Sequence, residues 1–255
     1  MTKNLSSHFF LIRNWNVSSK FIEGAELSRD LRNHLKSLRI EPKTQILISN
    51  GKGIQFTYQI EKPDFSMQLL SENNIPQPSP LMTLFLSPPR GDALWDSVST
   101  ATQLGCSEIS LVATDNCELS KKPPRMDLWE RLERVADASS EASKRAWALN
   151  FPGKSWFDLE SLKKTSNTFD YFFVCNESLA SKKWGCALDD SVKKQTGQLK
   201  IGILVGPEGG WSPQELSLFK ENPRLRPLYL GPQVLKVPVA VGAALTLCQA
   251  EFSVL

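Results

Sequence analysis

Apolar and polar positions follow two different rhythms along this chain. Between residues 9 and 65 the apolar stretches are short: Phe9-Phe10-Leu11-Ile12, Gln45–Ile48 and Ile54–Ile60, the last two flanking Asn50-Gly51-Lys52-Gly53. Asn-Gly between alternating segments signals a hairpin, because a tight turn with the right twist needs residues that tolerate φ > 0. The region predicts a small β-barrel. Ile75-Pro76-Gln77-Pro78-Ser79-Pro80 then reads as a linker. From Leu81 the rhythm changes to strands alternating with helices: Leu81–Leu86 strand, Asp92–Leu104 helix, Ile109–Ala113 strand, Leu128–Arg145 helix and Tyr171–Val174 strand. That alternation predicts an α/β domain built on a parallel sheet.

The most informative stretch is Ile201-Gly202-Ile203-Leu204-Val205-Gly206-Pro207-Glu208-Gly209-Gly210. Its first half has the length and β-branched content of a strand buried on both faces, and Gly206-Pro207 ends it. Gly209 and Gly210 can take φ > 0 and let a ligand approach the backbone. Ser212-Pro213-Gln214-Glu215 follows as N-cap, first-turn proline and capping-box glutamate of a new helix. A second loop of the same kind comes after the short strand Arg226–Leu230: Gly231-Pro232 breaks it, and Gln233-Val234-Leu235-Lys236 leads into Pro238 and the apolar helix Val239–Ala250. In open α/β sheets ligands settle outside the carboxyl ends of strands, so the two loops predict a binding edge. Neither G-x-G-x-x-G after a strand nor G-x-x-x-x-G-K-[ST] is present, which argues against a dehydrogenase or P-loop enzyme.

These paired loops, Val205–Gly210 and Leu230–Lys236, resemble the cofactor-binding end of the SPOUT methyltransferases, most closely the RsmE family that methylates ring nitrogen three of a uridine in small-subunit ribosomal RNA. The resemblance is strong from Ile201 onward and weak at the N-terminus. It implies a SPOUT-type parallel sheet over residues 81–255 with a C-terminal trefoil knot, an exception to the general avoidance of knots. It also implies a PUA-like RNA-binding β-barrel over residues 1–74, joined by the linker 75–80, and a homodimer with the site at its interface. The implied cofactor is S-adenosylmethionine, held largely by main-chain groups of Leu204, Val205, Gly206, Pro207, Gly209, Gly210, Leu230, Gly231, Val234, Leu235 and Ala240. A third loop after Tyr171–Val174 adds Cys175, Asn176 and Glu177.

Lys236 and Glu208 are the candidate catalytic residues. Glu208 reads equally as a substrate or partner contact and as a loop-stabilising carboxylate, and no His, Cys or carboxylate stands alone as the general base. The chain departs from the family where polar handles are expected. The second loop usually reads leucine-glycine-x-arginine-isoleucine-leucine-arginine-x-glutamate-threonine-alanine, but here Gln233, Lys236, Pro238 and Val239 replace the arginine, arginine, glutamate and threonine. Lysine offers a point charge in place of arginine's planar fork. Thr100 and Gln103 replace a usual lysine and glutamate, Ala138 and Ala142 a usual glutamate and glutamine, while Glu141 and Arg145 are kept and Arg90 stands for a lysine. Three functions therefore stand side by side: a methyltransferase, an RNA-binding paralogue without turnover, and a small-molecule transferase.

Composition narrows the setting. The chain has 255 residues, enough for one large or two modest domains, and a net charge of +3. Residues 1–80 hold ten Lys/Arg against seven Asp/Glu, so the whole basic excess precedes residue 81. Arg29, Arg32, Lys36 and Arg39 lie together there, and their spacing predicts a shared helical face for the last three; that face is either solvated or a phosphate-contacting patch. Arg90 and Arg145 complete the candidate RNA contacts. Only two histidines and five scattered cysteines without a C-x-x-C pair are present, which argues against a histidine triad, a metal cluster or a disulfide framework. No apolar run of about eighteen residues occurs and Met1–Arg13 lacks signal-peptide order, so a cytoplasmic protein without a membrane partner is expected.

Overall fold

The computed structural model describes residues 8–16, 20–176, 185–186 and 198–252, which form a mixed α/β chain. It divides into two compact units: Met1–Gln77 with Ser140–Ala148, and Pro78–Ser139 with Leu149–Leu255. The first contains β1 (His8–Leu11), β2 (Phe21–Ile22), α1 (Arg29–Ser37), β3 (Gln45–Ser49), β4 (Ile54–Ile60) and β5 (Met67–Asn74), in a sheet ordered β1-β3-β4-β5-β2. The hairpin forms at the Asn-Gly signal: Asn50 Oδ1 accepts from the backbone N–H of Lys52 and Ile54 at 2.8 and 3.1 Å, and Gly51 has φ 74°. β5 shows no alternation to read, since only Met67 among its residues is buried; the ladder to β4 builds it.

Ser28 caps α1 by accepting from Leu31 N at 3.1 Å, and Leu31 and Leu35 turn into a core with Phe10, Ile46, Ile48 and Tyr58. Arg29, Arg32 and Lys36 are spaced along the rest of α1. Arg39 does not share their face, because the helix ends at Ser37 and Arg39 has φ 53°. Residues 140–148 complete this unit. Ser49 Oγ and Gly53 N both donate to Ala146 O, at 2.7 and 3.2 Å, and Trp147 Nε1 donates to Ile75 O at 3.0 Å and Pro76 O at 3.1 Å. A Cβ on Gly53 would lie 2.4 Å from the Trp147 ring, so glycine is required there by close approach.

The second unit is built on β6 (Leu81–Leu86), β7 (Glu108–Leu111), β8 (Tyr171–Cys175), β9 (Gly185–Cys186), β10 (Lys200–Val205) and β11 (Leu225–Tyr229). The sheet order is β7-β6-β10-β8-β11-β9, parallel except for the β11–β9 pair. Successive residues of β10 bury themselves on opposite faces. Ile201, Ile203 and Val205 pack with Val98, Leu132, Val241 and Leu245 on one side, whereas Leu204 packs with Phe85, Phe172 and Phe219 on the other. Helices α2 (Asp92–Gln103), α3 (Met126–Ala142), α5 (Pro213–Glu221) and α6 (Val237–Phe252) supply these cover layers, with a short α4 (Leu162–Ser166) preceding β8. Both faces of β10 are thus dry, which is why its sequence is continuously apolar.

Candidate functional site

The register of the parallel strands brings three loops to one edge. Leu204 pairs with Val174 and Leu228 with Cys175, so the chain leaves β10, β8 and β11 at nearly the same level. The loops enclose a cavity of about 890 Å³ lined by Cys175 and Asn176, by Val205–Trp211, by Leu228, Leu230 and Gly231, and by Gln233–Pro238 with Ala240. Ala93 and Asp96 of α2 and Leu216 of α5 complete the wall. The charged groups lining it are Asp96, Glu208 and Lys236. Among the described residues no group of three or more His, Cys, Asp or Glu is placed to hold a metal ion, and no helix is long and apolar enough to cross a membrane.

Each loop has a local cause. Ser212 caps α5 by accepting from Glu215 N at 3.2 Å while Glu215 Oε2 accepts from Ser212 N at 2.7 Å, the reciprocal box its sequence predicts. Gly210 N donates to Pro207 O at 3.0 Å, closing a turn in which Gly210 has φ 70°. Gly209 is not left-handed. Its crowding comes from a neighbour, because a Cβ there would sit 3.0 Å from Asn116 Cβ, tighter than most side-chain contacts. Gly231 has φ 107°, where a side chain is strained. At Gly206 a Cβ would lie 2.7 Å from Trp211 Cε2; the Trp211 ring stands edge-on to Phe219 and its Nε1 donates to Cys175 O at 3.2 Å. Trp211 is therefore the post between the loop after β10 and the loop after β8.

Of the residues the sequence nominates, Cys175, Asn176, Val205, Gly206, Pro207, Glu208, Gly209, Gly210, Leu230, Gly231, Val234, Leu235, Lys236 and Ala240 come together around the cavity. Leu204 does not: it is fully buried in the core beneath the sheet, since alternate β10 residues point to opposite faces. Glu177 lies outside the described residues. Arg29, Arg32, Lys36, Arg39 and Arg145 belong to the first unit and Arg90 to the second, where Arg90 is close enough to Glu118 to help Lys121 hold that carboxyl below its usual range.

Sequence reasoning misses the loop after β7. Thr114 and Ser87 share a buried hydroxyl bond of 2.7 Å, Asp115 N donates to Glu215 Oε1 at 3.0 Å, and Ser212 Oγ donates to Asp115 Oδ2. Asn116 Nδ2 then donates to Gly209 O at 3.2 Å and Gly210 O at 2.9 Å. Trp211, next to Gly210 in the chain, was open to discovery from its position; Asp96 and Asn116 carry no local signal.

A parallel sheet whose carboxyl edge gathers three loops around one cavity belongs to a defined class: residues 76–249 match the RNA methyltransferase domain family, and the chain belongs to it. The resemblance to RsmE is matched by named relatives. A ribosomal RNA small subunit methyltransferase E of Synechocystis is 24% identical over 82% of this chain and 66% of that protein, so the chain spans just under two thirds of its length. The protein of the same name from Rickettsia conorii is 25% identical over 90% of this chain and 91% of its own. The crystal structure of ribosomal RNA small subunit methyltransferase E from Neisseria gonorrhoeae, bound to S-adenosyl methionine, shares the fold with a TM-score of 0.76 at 19% identity, covering 96% of this chain and 98% of that one.

Proposed function

We propose that this protein methylates ring nitrogen three of a uridine in small-subunit ribosomal RNA, using S-adenosylmethionine. The observation that carries the proposal is the cavity itself, framed by glycine loops at three strand ends of a chain in the RNA methyltransferase family. Its volume of about 890 Å³ falls within the ~300–1,000 Å³ of small-molecule sites. The lining also fits the cofactor. Val205, Leu228, Leu230 and Val237 offer an apolar bed, and at Gly210 the direction a Cβ would take is open for at least 4 Å, so a ligand can reach the backbone.

When bound, S-adenosylmethionine supplies an already activated methyl group. The chain has to position two reactants and manage the proton that uridine carries on its ring nitrogen. Lys236, exposed at the mouth, presents a point charge to the anion left when that proton departs; Glu208 and Asp96 are the carboxylates lining the cavity that can accept it.

The first unit is proposed as a PUA-like RNA-binding module using Arg29, Arg32, Lys36, Arg39 and Arg145, with Arg90 contacting RNA from the second. The C-terminal segment is proposed to form a trefoil knot, and two cytoplasmic copies to pair through α6, whose Val239 is 54% exposed. Nucleoside mass spectrometry of ribosomal RNA from a strain lacking the gene tests the activity. Loss of N3-methyluridine, restored by the wild-type chain, supports it; unchanged modification together with retained RNA binding identifies a paralogue without turnover.

A further inference from the structure

We propose that Asn116 is a positioning residue for the cofactor loop, a brace that sets the Gly209–Gly210 backbone before any ligand arrives. The inference rests on reading the cavity as an S-adenosylmethionine site. Asn116 is exposed and lies outside the cavity wall, yet its side-chain nitrogen donates to the carbonyls of both Gly209 and Gly210, at 3.2 and 2.9 Å. Two carbonyl acceptors require the amide's NH₂ end, so the orientation follows from the partners. Gly209 and Gly210 line the cavity with backbone alone, and a residue that holds their carbonyls outward decides where the rest of each peptide unit points.

The brace is anchored at its other end. Asp115 is tied to α5 twice, through its N–H to Glu215 Oε1 at 3.0 Å and through its carboxylate to Ser212 Oγ, while Thr114 is pinned to Ser87 in the interior. Glu215 is itself buried and spends its other oxygen on the α5 cap. Asn116 therefore extends from a fixed backbone. The fit is mutual: a Cβ at position 209 would stand 3.0 Å from Asn116 Cβ, tighter than side chains normally tolerate, so glycine at 209 lets the amide come within reach. Gly209 serves this approach and not a left-handed turn. A loop ordered in advance loses less freedom on binding, which raises affinity without any added interaction with the ligand.

Calorimetric titration of the full chain with S-adenosylmethionine tests this, alongside the melting temperature and amide exchange of the cofactor-free protein. Wild type must bind; if it does not, the cofactor reading of the cavity fails whatever Asn116 does. Given wild-type binding, Asn116→Ala should weaken affinity about tenfold, the scale of two modest hydrogen bonds. Asn116→Asp should be weaker still, because a carboxylate facing two carbonyls repels them. Exchange at Gly210 N should quicken in both variants while the melting temperature stays within about two degrees of wild type. A cycle with Gly209→Ala supplies the geometric check: that change should harm binding in the wild-type background and much less in Asn116→Gly, where the opposing Cβ is gone. Affinity within twofold of wild type in Asn116→Ala overturns the proposal. So does a lowered melting temperature that accounts for the whole binding loss, or strict additivity in the cycle.

Discussion

Replacing Gly206 by alanine adds one methyl group where the structure has no room for it. The new Cβ would lie 2.7 and 2.8 Å from Trp211 Cε2 and Cζ2, about 1 Å inside ordinary carbon contact. Trp211 has nowhere easy to go. Its ring is packed against Phe219 with centroids 4.8 Å apart, and its Nε1 donates to Cys175 O at 3.2 Å. A shift of that size breaks the bond, worth ~0.5–1.5 kcal/mol, within an overpacking cost of roughly 1–3 kcal/mol in all. At ~2–4 °C per kcal/mol for a domain of this size, the melting temperature should fall by roughly 2–12 °C in calorimetry. Because Gly206 and Cys175 both line the cavity, S-adenosylmethionine affinity should fall at least about tenfold. Trp211→Leu removes the struck atoms, so Gly206→Ala introduced into that background should cost under ~1 kcal/mol. A Gly206→Ala protein with wild-type melting and wild-type cofactor affinity would refute the reasoning, as would an equal cost in both backgrounds.

Four further outcomes are expected. Changing Arg29, Arg32 and Lys36 together to alanine should lower the salt slope of ribosomal RNA binding by about one unit for each phosphate no longer neutralised, while S-adenosylmethionine affinity stays unchanged; an unaltered slope would make α1 an ordinary solvated face. Ser212→Ala removes the α5 cap and the hydroxyl that Asp115 accepts, and should cost about 0.5–2 kcal/mol in denaturant unfolding. Hydrogen bonds from Ser66 N and Oγ hold the Asp64 carboxyl below its ordinary range, so its contribution is complete above the usual aspartate value of about 4 and is lost as pH falls through the lower folded value. Asp64→Asn should therefore flatten the acid limb of the stability profile, and an unchanged limb would count against it. Light scattering at micromolar concentration should give twice the chain mass, and Val239→Glu should shift it toward the monomer.

The α/β unit was largely legible because buried parallel strands leave unmixed apolar runs, as at Leu81–Leu86 and Ile201–Val205, and because Ser212–Glu215 spells out a cap. The glycine loops were legible for a related reason: backbone that approaches a ligand or reverses direction excludes most side chains. The cause at a given glycine was not legible. Gly209 and Gly210 look alike in sequence, yet one is left-handed and the other makes room for Asn116, some ninety residues earlier. Asp96, Asn116 and the docking of residues 140–148 on the hairpin share that difficulty, since each depends on contacts between segments far apart in the chain. β5 gives no sequence signal because its exposed residues carry no alternation, and spacing alone puts Arg39 on the α1 face because nothing local announces that the helix stops at Ser37.

The return of residues 140–148 to the first unit makes that unit discontinuous in the chain. Cutting at the proline-rich linker would separate β1 from Glu141, which accepts from Leu11 N at 3.0 Å, the hairpin from Ala146, and Ile75 from Trp147. The N-terminal piece is consequently not a portable module. A chimera that exchanges residues 1–77 alone inherits a hairpin fitted to another protein's 140–148 segment, so successful transplantation, in the laboratory or over evolutionary time, has to move both stretches at once.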